Sequence, residues 1–78
     1  MYVIQAWPAH GDPELHESFF VSSTLAMEAC YSSLCDHVAG IMEKPEEIKW
    51  DYDGLTGAYV GTTGYGIDYE IYRLKPSG

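Results

Sequence analysis

Four side chains that could bind a metal ion lie near the start of the 78-residue chain: His10, Asp12, His16 and Glu17. Imidazole nitrogens and carboxylate oxygens are ligands of zinc and manganese, and a loop could fold them around one ion. Their spacing matches no established motif, and histidines in a loop with glycine and proline are usually exposed. No metal site and no cofactor are predicted, but a small metal-dependent enzyme using His10, Asp12 and His16 stays one alternative.

A cysteine and a histidine could also form a nucleophilic pair, in which the imidazole activates the thiol. Cys30 and His37 are seven residues apart, which places them on one face of a helix. Two helical turns separate them by roughly 10 Å, too far for the imidazole to activate the thiol directly. Cys30 is therefore predicted to be a small buried residue, and the protein to be no enzyme.

Because Cys30 and Cys35 would point about 140° apart on a helix, two free thiols are predicted, as in a cytosolic protein.

Four glycines look at first like a phosphate-binding loop: Gly57, Gly61, Gly64 and Gly66. Such a loop leads into the N-terminus of a helix, often with a lysine. Here a β-type segment with two acidic residues, 67–70, follows instead. The glycines are predicted to form turns, bulges or close backbone contacts, and no nucleotide site is predicted.

The mixture of acidic and aromatic residues is the feature with the clearest functional meaning. The chain has 12 Asp and Glu, 4 Lys and Arg, a net charge of -8, seven tyrosines and two tryptophans. Tyr and Trp are enriched at the centres of interfaces, and carboxylates around them complement Lys and Arg of a partner. Tyrosines on the wet face of a sheet explain the same composition. The predicted partner-binding residues are Glu28, Asp36, Glu43, Asp51, Asp53, Asp68, Glu70, Tyr52 and Tyr65.

The charge is also unevenly distributed. Residues 1–43 contain six acidic side chains and no Lys or Arg, whereas residues 44–78 contain six acidic and four basic ones. Such a field repels DNA, RNA and anionic lipid and favours a basic protein surface, although acidity also keeps a small protein soluble. No run of about 18 apolar residues is present. Direct binding to nucleic acid and insertion into a membrane are therefore not expected.

The N-terminal half of the chain predicts two strands and a helix. Residues 2–7 form the first strand, residues 8–15 a loop, and residues 18–22 a short second strand that pairs antiparallel with the first. Apolar residues three and four apart predict a helix from Leu25 to about Met42, with Ser23 or Thr24 as its N-cap. Its apolar face is Met27, Cys30, Tyr31, Leu34, Val38 and Ile41. Its opposite stripe is Glu28, Ser32, Asp36, Ala39 and Glu43.

The C-terminal half predicts three more strands, at 48–53, 57–62 and 67–74. In the first of these, Ile48, Trp50 and Tyr52 face one way and Lys49, Asp51 and Asp53 the other, as in a half-buried strand. In the last, Ile67, Tyr69 and Ile71 share one face. The acidic residues Asp51, Asp53, Asp68 and Glu70 then point the other way.

The predicted order is β-β-α-β-β-β, in a single domain spanning residues 1–78. We expect an α+β fold in which one amphipathic helix packs on one face of an antiparallel sheet of four to five strands. A helix with one apolar stripe covers only one face of the sheet. The other face must meet water or a partner.

In size, acidity and sheet-plus-helix order, the chain resembles the small acidic anti-CRISPR proteins encoded by phages; no motif is shared. The resemblance implies a DNA-mimicking inhibitor in the cytoplasm of the host bacterium. Such an inhibitor binds the Lys/Arg-lined surface of a CRISPR effector complex and blocks its binding to target DNA. Some members of that group are enzymes, but the residues suggest no active site here. The main alternative is a regulatory module that associates with itself, as a homodimer, through the open face of the sheet.

Overall fold

The computed structural model describes residues 1–9, 12, 14–15 and 19–74. The helix is α1, Ser23–His37, and the strands are β1, Tyr2–Pro8; β2, Glu14–Leu15; β3, Lys49–Asp53; β4, Ala58–Thr62; and β5, Ile67–Arg73. The strands form one sheet in the order β2-β1-β5-β4-β3, and every neighbouring pair is antiparallel. The predicted α+β class, with one helix against an antiparallel sheet, is confirmed.

The core lies between α1 and one face of the sheet. The helix buries Ala26, Cys30 and Leu34, which are four residues apart and so form one stripe. The sheet contributes alternate residues of its central strands: Ile4, Ala6, Ile67, Tyr69 and Ile71. Tyr69 is fully buried and its hydroxyl donates a hydrogen bond to Ser33 Oγ at 3.2 Å, so its polar atom is satisfied inside the core.

The helix begins and ends earlier than the sequence pattern predicts. Its N-cap is Ser22, whose hydroxyl accepts a hydrogen bond from the Leu25 amide at 3.2 Å, instead of Ser23 or Thr24. Its last residue is His37, because Val38 leaves the helical conformation with φ -102° and ψ 6°. The predicted end at Met42 is therefore wrong.

A turn after α1 replaces the last predicted turn of the helix. The Val38 carbonyl accepts hydrogen bonds from the amides of Ile41 and Met42. Ile41, predicted to be apolar core, is 82% exposed. Continuing the helix through Gly40 would cost about 1 kcal/mol relative to alanine. Turning at Val38 instead keeps that residue buried, and the chain then returns to bury Ile48.

The second strand also differs from its prediction at 18–22. β2 is Glu14–Leu15, inside the stretch predicted as loop, and Leu15 pairs with Gln5 of β1. Phe20 contacts β1 through an isolated antiparallel bridge to Tyr2, with backbone bonds of 2.8 and 3.0 Å. Because Ser22 already caps the helix, little chain is left for a longer strand before α1 begins. Residue 18 of the predicted strand lies outside the described residues.

Gly61 is one of the four glycines that look like a phosphate-binding loop, and its neighbours leave no room for a side chain. It is a buried residue of β4 that pairs with Trp50 of β3. A Cβ atom at this position would lie 2.7 Å from Ile48 Cγ2 and 2.7 Å from the Trp50 ring. The absent side chain thus lets the indole lie directly on the sheet, as the predicted close backbone contact implies. The segment after these glycines is strand β5, so no helix N-terminus follows them.

The fold of the described residues offers no membrane-spanning helix: none there is both long and apolar enough to cross a bilayer.

Candidate binding face of the sheet

Alternate residues of the strands point away from α1 and form what we term the open face. Residues that are paired across antiparallel strands lie on the same side of the sheet. The strand register therefore determines which residues belong to the open face. The core-facing set includes Ile4, Tyr69 and Ile71, and the neighbours of those residues face the opposite way. The open face consists of Val3, Gln5, Trp7, Lys49, Asp51, Asp53, Ala58, Val60, Thr62, Asp68, Glu70 and Tyr72.

The structure brings the four strand carboxylates together on this face. Asp51 pairs with Val60, and Val60 pairs with Glu70, so these two acids share a row two strands apart, about 10 Å. Asp68 and Glu70 are two residues apart on β5, about 7 Å. Asp51 and Asp53 have the same spacing on β3. The predicted outward direction of all four acids is confirmed by the register.

The face carries little positive charge to offset these acids. Of its described residues, Lys49 alone is basic. Arg73, at the end of β5, has the opposite parity and lies on the helix side with Tyr2, its partner in β1. The four carboxylates therefore create a negative potential over one sheet face. Potentials of this kind attract basic partners and repel anionic ones.

Tyr72 and Trp7 form an aromatic pair on this face, and Tyr72 contacts one of the carboxylates. The Tyr72 hydroxyl donates a hydrogen bond to Glu70 Oε2. Burial first, and then the hydrogen bond and the charge of Glu70, raise the pKa of Tyr72 to about 12, while a hydrogen bond with Trp7 opposes this rise. Tyr72 is therefore a neutral hydrogen-bond donor at neutral pH. Trp7 is 40% exposed, so part of its indole is open to a partner beside Tyr72.

The two predicted tyrosines lie elsewhere. Tyr52 is on the helix side of β3 but beyond the helix, so it is 61% exposed instead of facing the core. Its ring packs against Tyr59 at a centroid distance of 5.0 Å. The Tyr65 hydroxyl accepts a hydrogen bond from the Glu46 amide at 2.9 Å, which ties together two loops. Neither tyrosine belongs to the open face.

The three remaining predicted acids lie away from the open face. Glu28 and Asp36 are exposed on α1, in the stripe opposite its buried residues, as the periodicity predicts. Glu43 is exposed but lies beyond the end of the helix. Since α1 and the open face are on opposite sides of the sheet, one flat partner surface cannot contact both groups of acids. The predicted combined surface is thus two separate surfaces.

The sequence pattern could have assigned Tyr72 to the open face, but not Trp7. Tyr72 has the same parity as Asp68 and Glu70, so extending the alternation of β5 by one step would have placed it with them. Trp7 joins the face because it pairs with Asp68 across β1 and β5. That pairing joins strands far apart in the chain, and no local pattern reveals it.

The arrangement around Cys30 does not favour a nucleophile. Cys30 is fully buried, and burial raises the pKa of its thiol to about 12, so it remains protonated at neutral pH. His37 is exposed, and its Nε2 lies 3.3 Å from the Tyr65 carbonyl oxygen. Both cysteines are free, as predicted. Cys30 therefore acts as a packing residue of the core.

The two thiols should differ in reactivity. We expect iodoacetamide to modify half-buried Cys35 in the native protein, and fully buried Cys30 at least about tenfold more slowly, because its alkylation requires opening of the core. Mass spectrometry of peptides after timed alkylation measures both rates. In denaturant the two rates should become similar. Fast native modification of Cys30 would contradict its placement between helix and sheet.

The predicted metal ligands cannot be compared as a group. His10, His16 and Glu17 lie outside the described residues, and Asp12 is exposed. Among the residues that are described, no three His, Cys, Asp or Glu side chains are placed to hold a metal ion together.

What the open face provides is a rigid surface for binding. Carboxylates accept hydrogen bonds from Lys and Arg, and the Trp7 and Tyr72 rings offer apolar area beside them. Comparison with protein-family models, with curated proteins and with solved structures gives no match for the chain. The geometry of the open face is therefore what supports a functional proposal.

Proposed function

We propose that the protein is a non-enzymatic interaction protein that binds the basic, nucleic-acid-binding surface of a partner protein and keeps DNA from it. The observation that supports this proposal is the open face, where four carboxylates and one lysine share one side of the sheet with a partly exposed tryptophan. A sheet holds these groups at fixed spacing. Little conformational entropy of the backbone is lost when they bind.

The physical basis is competition for the same cationic side chains. A DNA-binding channel presents Lys and Arg to phosphates, which carry about one charge per 1.7 Å of duplex. Carboxylates on a rigid face occupy those side chains, and Arg contacts a carboxylate with two parallel hydrogen bonds. Charge mainly increases the association rate, whereas buried aromatic residues supply most of the affinity. Trp7 and Tyr72 are placed for that second role.

The partner class we propose is a CRISPR effector complex, on the basis of the resemblance to small acidic anti-CRISPR proteins. In this proposal the protein is phage-encoded and acts in the cytoplasm of the host cell. Its binding excludes target DNA without any chemical reaction.

A second copy of the chain fits the open face less well than a basic partner does. A symmetric dimer through this face would place four carboxylates and one lysine of one copy against the same set of the other. Like charges facing each other across an interface cost free energy. A basic surface removes that repulsion, so the heterologous partner is favoured over the homodimer.

The test uses purified CRISPR effector complexes and fluorescence anisotropy of labelled target DNA. We expect the protein to compete with DNA for at least one complex, and its association rate to fall steeply between about 50 and 500 mM salt. Reversing two charges of the open face, with Asp51→Lys and Asp68→Lys together, should slow association about tenfold at low salt.

The matched control reverses two charges on the other side, with Asp36→Lys and Glu43→Lys together. This pair produces the same change in net charge, so the association rate should change less than about threefold if position matters. Equal effects of the two pairs, binding that is insensitive to salt, or no competition with DNA in any complex would each count against the proposal.

A further inference from the structure

We infer that a second binding site lies between α1 and the edge strand β3, and that it takes an extended segment of a protein partner with Lys or Arg at alternate positions. The site is on the helix side of the sheet, so it is separate from the open face. It goes beyond the proposed function and does not depend on it.

The site is an apolar groove of about 380 Å³ with an acidic rim. Its walls are side chains of the helix and of the segment that enters β3: Met27, Tyr31, Ile48 and Trp50. Glu28 and Glu47 line the same groove and are exposed. The Tyr31 hydroxyl donates a hydrogen bond to the Pro45 carbonyl at 2.7 Å, which fixes that wall. The groove is thus preformed.

The backbone beside the groove is available for pairing. β3 is the last strand of the sheet and pairs only with β4, so its other edge has no strand neighbour among the described residues. Outside the β3–β4 ladder, the one further backbone hydrogen bond from β3 in the described chain is Gly57 N–H to the Asp53 carbonyl. An extended peptide can add to such an edge, with alternate side chains entering the groove on the helix side.

The charge of the groove selects the occupant. A lysine or arginine has an aliphatic stem that suits the apolar walls and a cationic head that reaches a carboxylate rim. The Trp50 and Tyr31 rings also attract a cation held over them. Glu28 and Glu47 are both exposed, so their carboxylates are open to such a cationic head. The basic residue of the adjoining cavity, Lys44, shares that cavity with Glu46 and Glu47, so the acids still outnumber it.

The test is an NMR titration of the protein with a blocked seven-residue peptide in which lysine and threonine alternate. The two tryptophans report on the two surfaces, because Trp50 lines the groove and Trp7 lies on the open face. Because lysine can also bind the acidic open face, we expect the Trp50 indole resonance to shift at a lower peptide concentration than that of Trp7. Backbone amides of β3 should exchange with solvent more slowly when the peptide is bound.

Charge and position are controlled separately. The variant with Glu28→Gln and Glu47→Gln should bind the peptide about fivefold more weakly, and Asp36→Asn, also exposed on α1, should bind it unchanged. A peptide with norleucine in place of lysine keeps the stems but should lose binding. A shift of Trp7 instead of Trp50, or unchanged β3 exchange, would overturn the inference while leaving the open face intact. Failure of DNA competition would affect only the proposed function.

Discussion

Replacing Leu34 by alanine is expected to lower the free energy of unfolding by about 3 kcal/mol, the largest effect of any substitution considered for this chain. Leu34 is fully buried in the middle of the helix stripe, where Ile4, Tyr69 and Ile71 belong to the same core. Removing its side chain leaves a cavity that the helix cannot fill without shifting on the sheet. A domain of this size has only about 4–12 kcal/mol of stability in total, so the loss is a large fraction.

Thermal and urea unfolding followed by circular dichroism measure this loss. The melting temperature should fall by more than about 10 °C. Leu25→Ala is the matched control: Leu25 is on the same helix and is 46% exposed, so the same chemical change should cost much less. A similar fall in both variants would mean that α1 does not pack against the sheet through the Leu34 stripe.

The substitution Gly61→Ala is expected to destabilise the protein by about 2 kcal/mol. The added methyl group would lie 2.7 Å from Ile48 Cγ2 and 2.7 to 2.8 Å from two carbons of the Trp50 ring, closer than any real contact. The indole has to move off the sheet, and its packing is lost. Alanine usually stabilises a strand relative to glycine, so the expected sign is opposite to that of the intrinsic preference.

Gly40→Ala is the control, since a methyl group there would meet nothing within 4 Å and should change stability by less than about 0.5 kcal/mol. Tryptophan fluorescence adds a second readout, because a displaced Trp50 becomes more exposed. In the double variant Gly61→Ala and Trp50→Ala, the clash with the indole is removed and the clash with Ile48 Cγ2 stays, so the cost of the Gly61 substitution should fall by about half. If the cost is unchanged without the indole, Trp50 is not its cause.

Local alternation was enough to predict the C-terminal half of the fold. In β5, Ile67, Tyr69 and Ile71 are buried and Asp68 is exposed, because the strand is central and has only one covered face. The helix was likewise predicted from the spacing of its apolar residues, because only one of its faces is covered. Its end was not, because Val38 satisfies the apolar pattern whether or not the helix continues past it. The end depends on where the chain must turn to bury Ile48.

The candidate site was predicted in part for a related reason. The direction of Asp51 and Glu70 follows from the parity of their own strands, and the register confirms it. Tyr52 also has the predicted parity, but it is exposed because α1 does not reach that end of the sheet. Trp7 requires knowledge of the β1–β5 pairing. The side of the strand on which a residue lies can be predicted from the local sequence. Whether the helix covers that residue, and which distant strand it pairs with, depend on the tertiary fold.

The central pairing of β1 with β5 also has a consequence for synthesis of the chain. These strands contain residues 2–8 and 67–73, and they pair along seven residues in the middle of the sheet. On the ribosome, β1 emerges well before β5 and has no central neighbour until the segment between them and β5 itself have been translated. Long-range closure of this kind makes folding slower than local hairpins do. We therefore expect the native sheet to be completed only after β5 has been synthesised, in a late step that joins two segments far apart in the sequence.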